Sequence, residues 1–255
     1  MIDLAEIRAL EERAFNAWPS RRTVLCNGWV LRLSDGYTKR ANSVSALQPH
    51  GAFADVRETA EALYARHNLP AIFRLSPLAQ PEADRALDVA GYALFDPSSV
   101  LVMNLSETGA APDVEIAEAP SPAWLDGFAA ANGIAAVQRP IHDRMVSSIA
   151  VPAGFATLRE NGAPVGFGLA VCERGAVGLF DIVIAPAERN RGMGRALTNA
   201  LLQWGRRSGA RTAYLQVRDQ NAAARRLYAA LGFQEAYRYH YRVPNLFRSE
   251  RSAPI

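Results

Sequence analysis

The sequence predicts a mixed α/β protein of two halves, each a central mixed sheet flanked by helices. Three observations predict it. Segments with strand alternation and segments with helical spacing interleave along the 255 residues. A helix-to-strand passage recurs, Arg85-Ala86-Leu87-Asp88-Val89-Ala90-Gly91-Tyr92 against Arg226-Leu227-Tyr228-Ala229-Ala230-Leu231-Gly232-Phe233. A glycine- and arginine-rich turn, Arg189-Asn190-Arg191-Gly192-Met193-Gly194, joins an apolar run to an amphipathic segment.

The elements follow in order. Asp3 to Ala17 carries Leu4, Ile7, Leu10, Ala14 and Phe15 near helical spacing, and Trp18-Pro19-Ser20 stops it. Gly28 to Leu33 and Ser43 to Leu47 read as strands around the turn Ser34-Asp35-Gly36. Phe53 to His67 is a second helix, Ala71 to Leu75 a strand, and Pro81 to Ala90 a third helix ending at Gly91. A strand from Val100 to Leu105 closes this half. Glu107 to Pro112 has linker composition and marks the boundary, giving domains at 1–109 and 113–245 and a loose tail at 246–255. The second half restarts with the strand Val114 to Ile116 and helical segments Pro122 to Ala131 and Ile141 to Ile149. Strands Phe155 to Arg159 and Val165 to Cys172 flank the hairpin signal Asn161-Gly162. The strand Val177 to Ile184 leads into the glycine turn and a helix through Arg207. Thr212 to Val217, a helix Ala222 to Leu231 and a strand Glu235 to Val243 complete the pattern, with Tyr237, Tyr239 and Tyr241 alternating onto one face opposite His240.

A hydrophobic content of 49% can fill a core of this size. No apolar run has the length of a membrane span, and the acidic, amphipathic start does not read as a secretory signal, so a cytoplasmic setting with no membrane partner is expected. Cys26 and Cys172 form neither a disulfide framework nor a metal-ligand cluster, and no metal is expected. The net charge of +3 is carried by scattered arginines, with Lys39 the single lysine. Nucleic acid would require clustered basic residues interleaved with aromatics, so it is not expected as a partner. Oligomeric state stays open.

The glycine turn opens a helix. The first N–H groups of a helix lack internal acceptors, and the helix dipole adds positive charge there. Glycines allow close approach of the backbone to a pyrophosphate, and Arg189 and Arg191 supply charge. The turn therefore reads as a site for a phosphate-bearing cofactor.

Two motifs then carry a resemblance. Arg189-x-x-Gly192-x-Gly194 matches the Arg/Gln-x-x-Gly-x-Gly/Ala signature of the GCN5-related N-acetyltransferase (GNAT) superfamily. Leu215-Gln216-Val217-Arg218-Asp219-Gln220-Asn221-Ala222-Ala223-Ala224, followed by Leu227-Tyr228 and Leu231-Gly232-Phe233, is a second match. The resemblance covers roughly residues 113–243, in the strand and helix order of that family. The first half resembles it faintly, through the recurring passage and through Gly36 to Val44, which looks like bacterial proteins with a degenerate GNAT-like half before an active one. No glycine-arginine turn follows Ser43 to Leu47, and Leu87 stands where Tyr228 would.

The resemblance implies direct acetyl transfer from acetyl-CoA to the primary amine of a small-molecule or peptide acceptor. It implies that backbone N–H groups around Asn190, Arg191, Gly192, Met193, Gly194 and Arg195 hold the CoA pyrophosphate. Ile182, Val183 and Ile184 would pair with the pantetheine amides, their strand splaying from Thr212 to Val217 to leave a slot for the thioester. Tyr228 would serve the departing thiolate, which needs a proton or a strong hydrogen bond; a phenol near pKa 10 can donate one where Leu or Phe cannot. The other reading of Tyr228 is a core aromatic. Asp181, in the apolar strand before the turn, is the candidate base, directly or through a water it orients, with an ion pair to a structural arginine as its alternative. Glu173 and His142 are weaker candidates for that role. Asn221 fits a helix N-cap at least as well as a contact to CoA. The same features also allow a non-catalytic module that senses CoA and docks a partner.

Overall fold

The computed structural model describes residues 2–49, 51–105 and 114–245. The expected linker Glu107 to Pro112, with the boundary placed there, and the expected tail at 246–255 lie outside them. Chain order begins with α1 (Leu4–Ala17), β1 (Arg22–Cys26), β2 (Trp29–Leu33), β3 (Val44–Ala46), α2 (Val56–Ala65), β4 (Phe73–Leu75) and α3 (Pro81–Val89). It continues with β5 (Tyr92–Asn104), β6 (Val114–Ala117), α4 (Pro122–Asn132), α5 (Arg139–Ser147), β7 (Ala153–Glu160), β8 (Ala163–Glu173) and β9 (Ala176–Ile184). It ends with α6 (Met193–Arg207), β10 (Thr212–Arg218), α7 (Ala222–Ala230) and β11 (Gln234–Pro244). The result is the mixed α/β class expected. Two compact units emerge, one running to Ser99 and rejoined by the chain from Ala236, the other running from Val100 to Glu235. The last strand thus groups with the first half of the sequence.

In the first unit the strand order is β1-β2-β3-β4-β11-β5, with β3 and β4 parallel and β1/β2, β2/β3 and β4/β11 antiparallel. The first hairpin turns at Asn27-Gly28, both at positive φ (48° and 80°), and not at Ser34-Asp35-Gly36. Its edge strand β1 had no counterpart in the sequence reading, because Arg22-Thr23-Val24-Leu25-Cys26 is exposed on nearly every residue and shows no alternation. The strand expected from Val100 begins at Tyr92. Asp96, at φ 47° before Pro97, bends it and hides its first half behind a turn-like dipeptide. Tyr237, Tyr239 and Tyr241 are all buried, as their alternation requires. Lys39 pairs with Asp96 at 2.9 Å and lies over the Phe95 ring at 4.8 Å.

This unit has a charged interior. Glu11 of α1 and Arg74 of β4 are buried and form a two-pronged ion pair, with Arg74 Nη2 donating to Glu11 Oε1 at 3.0 Å. The Tyr237 hydroxyl donates to the same Oε1 at 2.5 Å, and the Arg74 guanidinium lies 3.8 Å from the Tyr239 ring centre. Arg32 is buried beside them. It donates to the backbone carbonyls of Phe15, Trp18 and Arg40, and its pKa falls to about 10 because burial and the nearby Arg74 both oppose its charge.

In the second unit the order is β5-β10-β9-β8-β7-β6, antiparallel from β6 to β9, with β9 and β10 parallel. The turn Asn161-Gly162 joins β7 to β8 as expected, with both residues at positive φ. Helix α6 lays Met193, Leu197, Leu201 and Leu202 into a core shared with Leu179, Leu215 and Phe233. It approaches β9 closely at Gly205, where a Cβ would stand 2.6 Å from the Cβ and Cγ1 of Val177. Alanine would favour the helix by about 1 kcal/mol. The clash falls on a buried branched side chain, so Gly205→Ala should still destabilise the protein by about 1–3 kcal/mol. Denaturant unfolding tests this; an unchanged or raised midpoint would show that α6 can shift freely.

Candidate active site

The site forms where β9 leaves β10. Their parallel ladder pairs Thr212 with Ala176, Ala213 with Val177, Tyr214 with Gly178 and Leu215 with Leu179, then stops. Both strands continue, β9 to Ile184 and β10 to Arg218, so the edge of β9 facing β10 has no strand partner beyond Leu179. On its other edge β9 stays paired with β8, but the register slips: Phe180 faces Leu169 and Val183 faces Phe167, so Asp181 and Ile182 together oppose Gly168. This is a β-bulge. Such bulges bend a strand and re-aim its side chains. Asp181 sits in it at φ 48°, a left-handed conformation that Asp tolerates better than most residues. The parting expected between the two strands is present, and the bulge coincides with it.

Beyond Ile184 comes the glycine turn. Asn190 and Gly192 take positive φ (63° and 79°), and Gly192 is the N-cap of α6 without any side-chain hydrogen bond to the first turn. By contrast, Asp3, Ser121 and Asn221 cap α1, α4 and α7 with their side chains. A Cβ at Gly192 would meet nothing within 4 Å, and one at Gly194 would lie 3.4 Å from Leu227. The helix start is therefore open in front of Gly192 and closely packed behind Gly194. The arginines are engaged with the protein itself. Arg189 Nε donates to the Ile184 carbonyl at 3.1 Å, Arg191 pairs with Glu188 and with Glu160 (2.7 Å), and Arg195 donates to the Ala230 carbonyl at 3.2 Å.

Asp181 meets a histidine, not an arginine. Its Oδ2 lies 3.0 Å from Nε2 of His142 on α5, a ring with no solvent exposure. The other nitrogen, Nδ1, lies 3.3 Å from Asp143 Oδ1. Phe128 stacks on the imidazole at 4.8 Å and 18°, with Trp124 stacked in turn on Phe128. Burial alone would discharge this ring. The hydrogen bonds and charges of Asp181 and Asp143 outweigh burial and raise its pKa. Sequence reasoning named both residues but did not join them, because the contact spans 39 positions and depends on the bulge. Glu173 pairs with Arg174 at 3.0 Å, at the far end of β8.

Tyr228 lies in the core cluster with Met193, Leu197, Leu215, Val217 and Phe233, against which Ile182 and Ile184 also pack. Its ring meets Phe233 edge-on at 5.7 Å. The hydroxyl makes no hydrogen bond among the described residues, and burial pushes its pKa up to about 12. Asn221 is an N-cap, its Oδ1 accepting from the Ala224 N–H at 3.1 Å.

A family model described as "Probable histone acetyltransferase Rv0428c C-terminal" matches residues 4–242. The chain belongs to that family. It is a GNAT-type N-acetyltransferase, as the motifs at Arg189 to Gly194 and Leu215 to Phe233 implied. The uncharacterized N-acetyltransferase YobR of Bacillus subtilis is 28% identical over 246 residues, covering 93% of this chain and 98% of YobR. The probable histone acetyltransferase Rv0428c of Mycobacterium tuberculosis is 29% identical over 251 residues, covering 93% of this chain and 74% of that protein. A GCN5-related N-acetyltransferase from Kribbella flavida shares the fold, with a TM-score of 0.72 at 19% identity over 96% of this chain and 97% of that one. No helix of this GNAT protein, among the described residues, is long and apolar enough to cross a membrane.

Proposed function

We propose that the Val100–Glu235 unit moves an acetyl group directly from acetyl-CoA to a primary amine. One observation carries this reading: the edge of β9 is left without a partner strand at the place where the chain runs on into an uncapped helix start. A strand edge offers alternating N–H and C=O groups to an extended amide chain. An uncapped helix N-terminus suits a diphosphate. Together they match the two halves of CoA. Ile182, Val183 and Ile184 pair with the pantetheine amides, and the N–H groups from Asn190 to Arg195 hold the diphosphate. Because Arg191 is already matched by Glu188 and Glu160, the backbone rather than its guanidinium is the primary anion holder.

Bound acetyl-CoA supplies the thioester that the amine attacks. Asp181 keeps Oδ1 free of hydrogen bonds among the described residues, and this oxygen takes the proton that the ammonium must lose. The Tyr228 hydroxyl donates a hydrogen bond to the departing sulfur, and the second proton of the attacking nitrogen passes to that thiolate as the tetrahedral intermediate collapses to amide and CoA thiol. Asn221 holds the start of α7, which carries Tyr228.

The first unit reads as a degenerate copy of the second. Helices α3 and α7 both run into left-handed glycines, Gly91 and Gly232, with Leu87 buried where Tyr228 is buried. Leucine has no proton to give, so one working site is expected.

Release of free CoA thiol over a panel of primary amines tests the reading. Amine-dependent release is expected; tight acetyl-CoA binding with no turnover across the whole panel would overturn it. Gly192→Asp tests the cofactor assignment. The side chain enters open space, and Asp accepts left-handed backbone, so folding should survive. Its carboxylate faces the diphosphate, and affinity for acetyl-CoA should fall about a hundredfold, or ~2.7 kcal/mol. Calorimetry showing retained affinity in a folded variant would reject the site.

A further inference from the structure

Asp181 is held by one oxygen only, and what holds it is itself held. His142 stands between two carboxylates, with Nε2 at 3.0 Å from Asp181 Oδ2 and Nδ1 at 3.3 Å from Asp143 Oδ1. The ring cannot turn away, being fully buried and stacked on Phe128. A neutral imidazole carries one N–H and one lone pair. Either neutral tautomer would therefore set a lone pair against a carboxylate, and only the doubly protonated ring satisfies both neighbours. Behind Asp143, Arg139 Nε contacts Oδ2 at 3.4 Å and reaches across to Asp126 of α4. The charged groups around His142 are thus Asp181 from β9, Asp143 and Arg139 from its own helix, and Asp126 beyond them. The arrangement runs from the bulge to the exposed outer face of α5.

We propose that His142 is a positioning residue for acetyl transfer: as an imidazolium clamped by Asp143, it fixes the Asp181 carboxylate on the bulge through Oδ2 and leaves Oδ1 aimed for the acceptor amine. This rests on the assignment of Asp181 as the base. A histidine that holds a carboxylate from behind constrains its angle, as supporting partners do at metal and triad sites. The proton taken from the amine resides on Oδ1 of Asp181, which is 12% exposed and exchanges with water, while the imidazolium keeps its own two protons throughout. The clamp therefore works only while the ring is charged. As pH rises through the raised pKa of His142, the ring loses one N–H and its charge, so the clamp loses one of its two ends: either the hydrogen bond to Asp181 itself or the Asp143 contact that fixes the ring behind it.

The test follows free CoA thiol with the primary amine that the acceptor panel returns, across pH 5.5 to about 9.5. His142→Gln retains a donor toward Asp181 at every pH but cannot titrate. The ratio of wild-type to His142→Gln kcat should be constant at low pH, about tenfold, and should fall as the wild-type ring deprotonates, with KM for acetyl-CoA unchanged. Asp143→Asn, on a partly exposed side chain, should move that fall to lower pH, and it serves if His142→Gln does not fold. A ratio independent of pH, together with an unmoved profile in Asp143→Asn, would overturn the proposal. Asp181→Asn separates the two levels. If it leaves turnover intact, or if the panel returns no acceptor, the parent reading fails; if it abolishes turnover while His142→Gln and Asp143→Asn do nothing, only the positioning role fails.

Discussion

Tyr228→Phe is expected to lower turnover by about a hundredfold or more, in the range of a lost transition-state hydrogen-bond donor, while acetyl-CoA affinity stays within about twofold of wild type. The ring is the packed part of this side chain, meeting Phe233 and the core beneath α6, and phenylalanine preserves it. The hydroxyl has no hydrogen-bond partner among the described residues, so its removal leaves no orphaned group and should change stability by about 1 kcal/mol or less. A loss confined to kcat therefore reports chemistry and not folding. With a pKa near 12, against ~8.5 for an ordinary thiol, the phenol does not hand over its proton outright. In the proposed mechanism it stabilises the leaving sulfur by a hydrogen bond made only as that charge develops. Accordingly, acyl donors whose leaving thiol is more acidic should be less sensitive to the substitution. Unchanged turnover in a folded Tyr228→Phe protein would return Tyr228 to the role of core aromatic.

The largest expected effect on stability lies in the other unit. Glu11→Gln leaves the Arg74 charge buried without its counter-ion and should cost about 3–5 kcal/mol, enough to unfold many domains of this size. Burial opposes the Arg74 charge, and the charge and hydrogen bonds of Glu11 more than offset it, which raises its pKa. Replacing the whole group with apolar side chains (Glu11→Leu, Arg74→Met and Tyr237→Phe together) should recover most of the loss, because no charge or hydroxyl then needs a partner. Chemical denaturation of the single and triple variants decides the matter. A Glu11→Gln cost below about 1 kcal/mol would mean that water reaches Arg74.

The parts of the molecule that sequence reveals are those whose signals are local. The turn from Arg189 to Gly194 announces itself because a helix start with adjacent glycines has few other uses, and the alternating Tyr237, Tyr239 and Tyr241 announce a buried strand face. The second motif located Tyr228 and Asn221, one in the core and the other at a helix cap. What stayed hidden depends on backbone irregularity or on distance along the chain. Strand β1 has no apolar alternation because its residues are exposed, although Asn27-Gly28 already carried a hairpin signal between it and β2. Asp96-Pro97 reads as a turn and is instead a bend within β5. The bulge at Asp181 leaves no mark in an apolar run, and without it nothing brings that carboxylate to His142. The grouping of β11 with the first unit is likewise a matter of pairing to β4, which no local pattern encodes.

Lys39 gives the chemistry a further meaning. It is the single lysine among 28 basic side chains, and its ammonium is tied to Asp96 and laid against Phe95. Its nitrogen is engaged by a carboxylate on one side and by an aromatic ring on another. The protein carries its basic charge almost wholly as guanidinium groups, which stay protonated and have no free lone pair to be acylated. An N-acetyltransferase thus presents, among its own side chains, next to no amine that its own reaction could modify by accident.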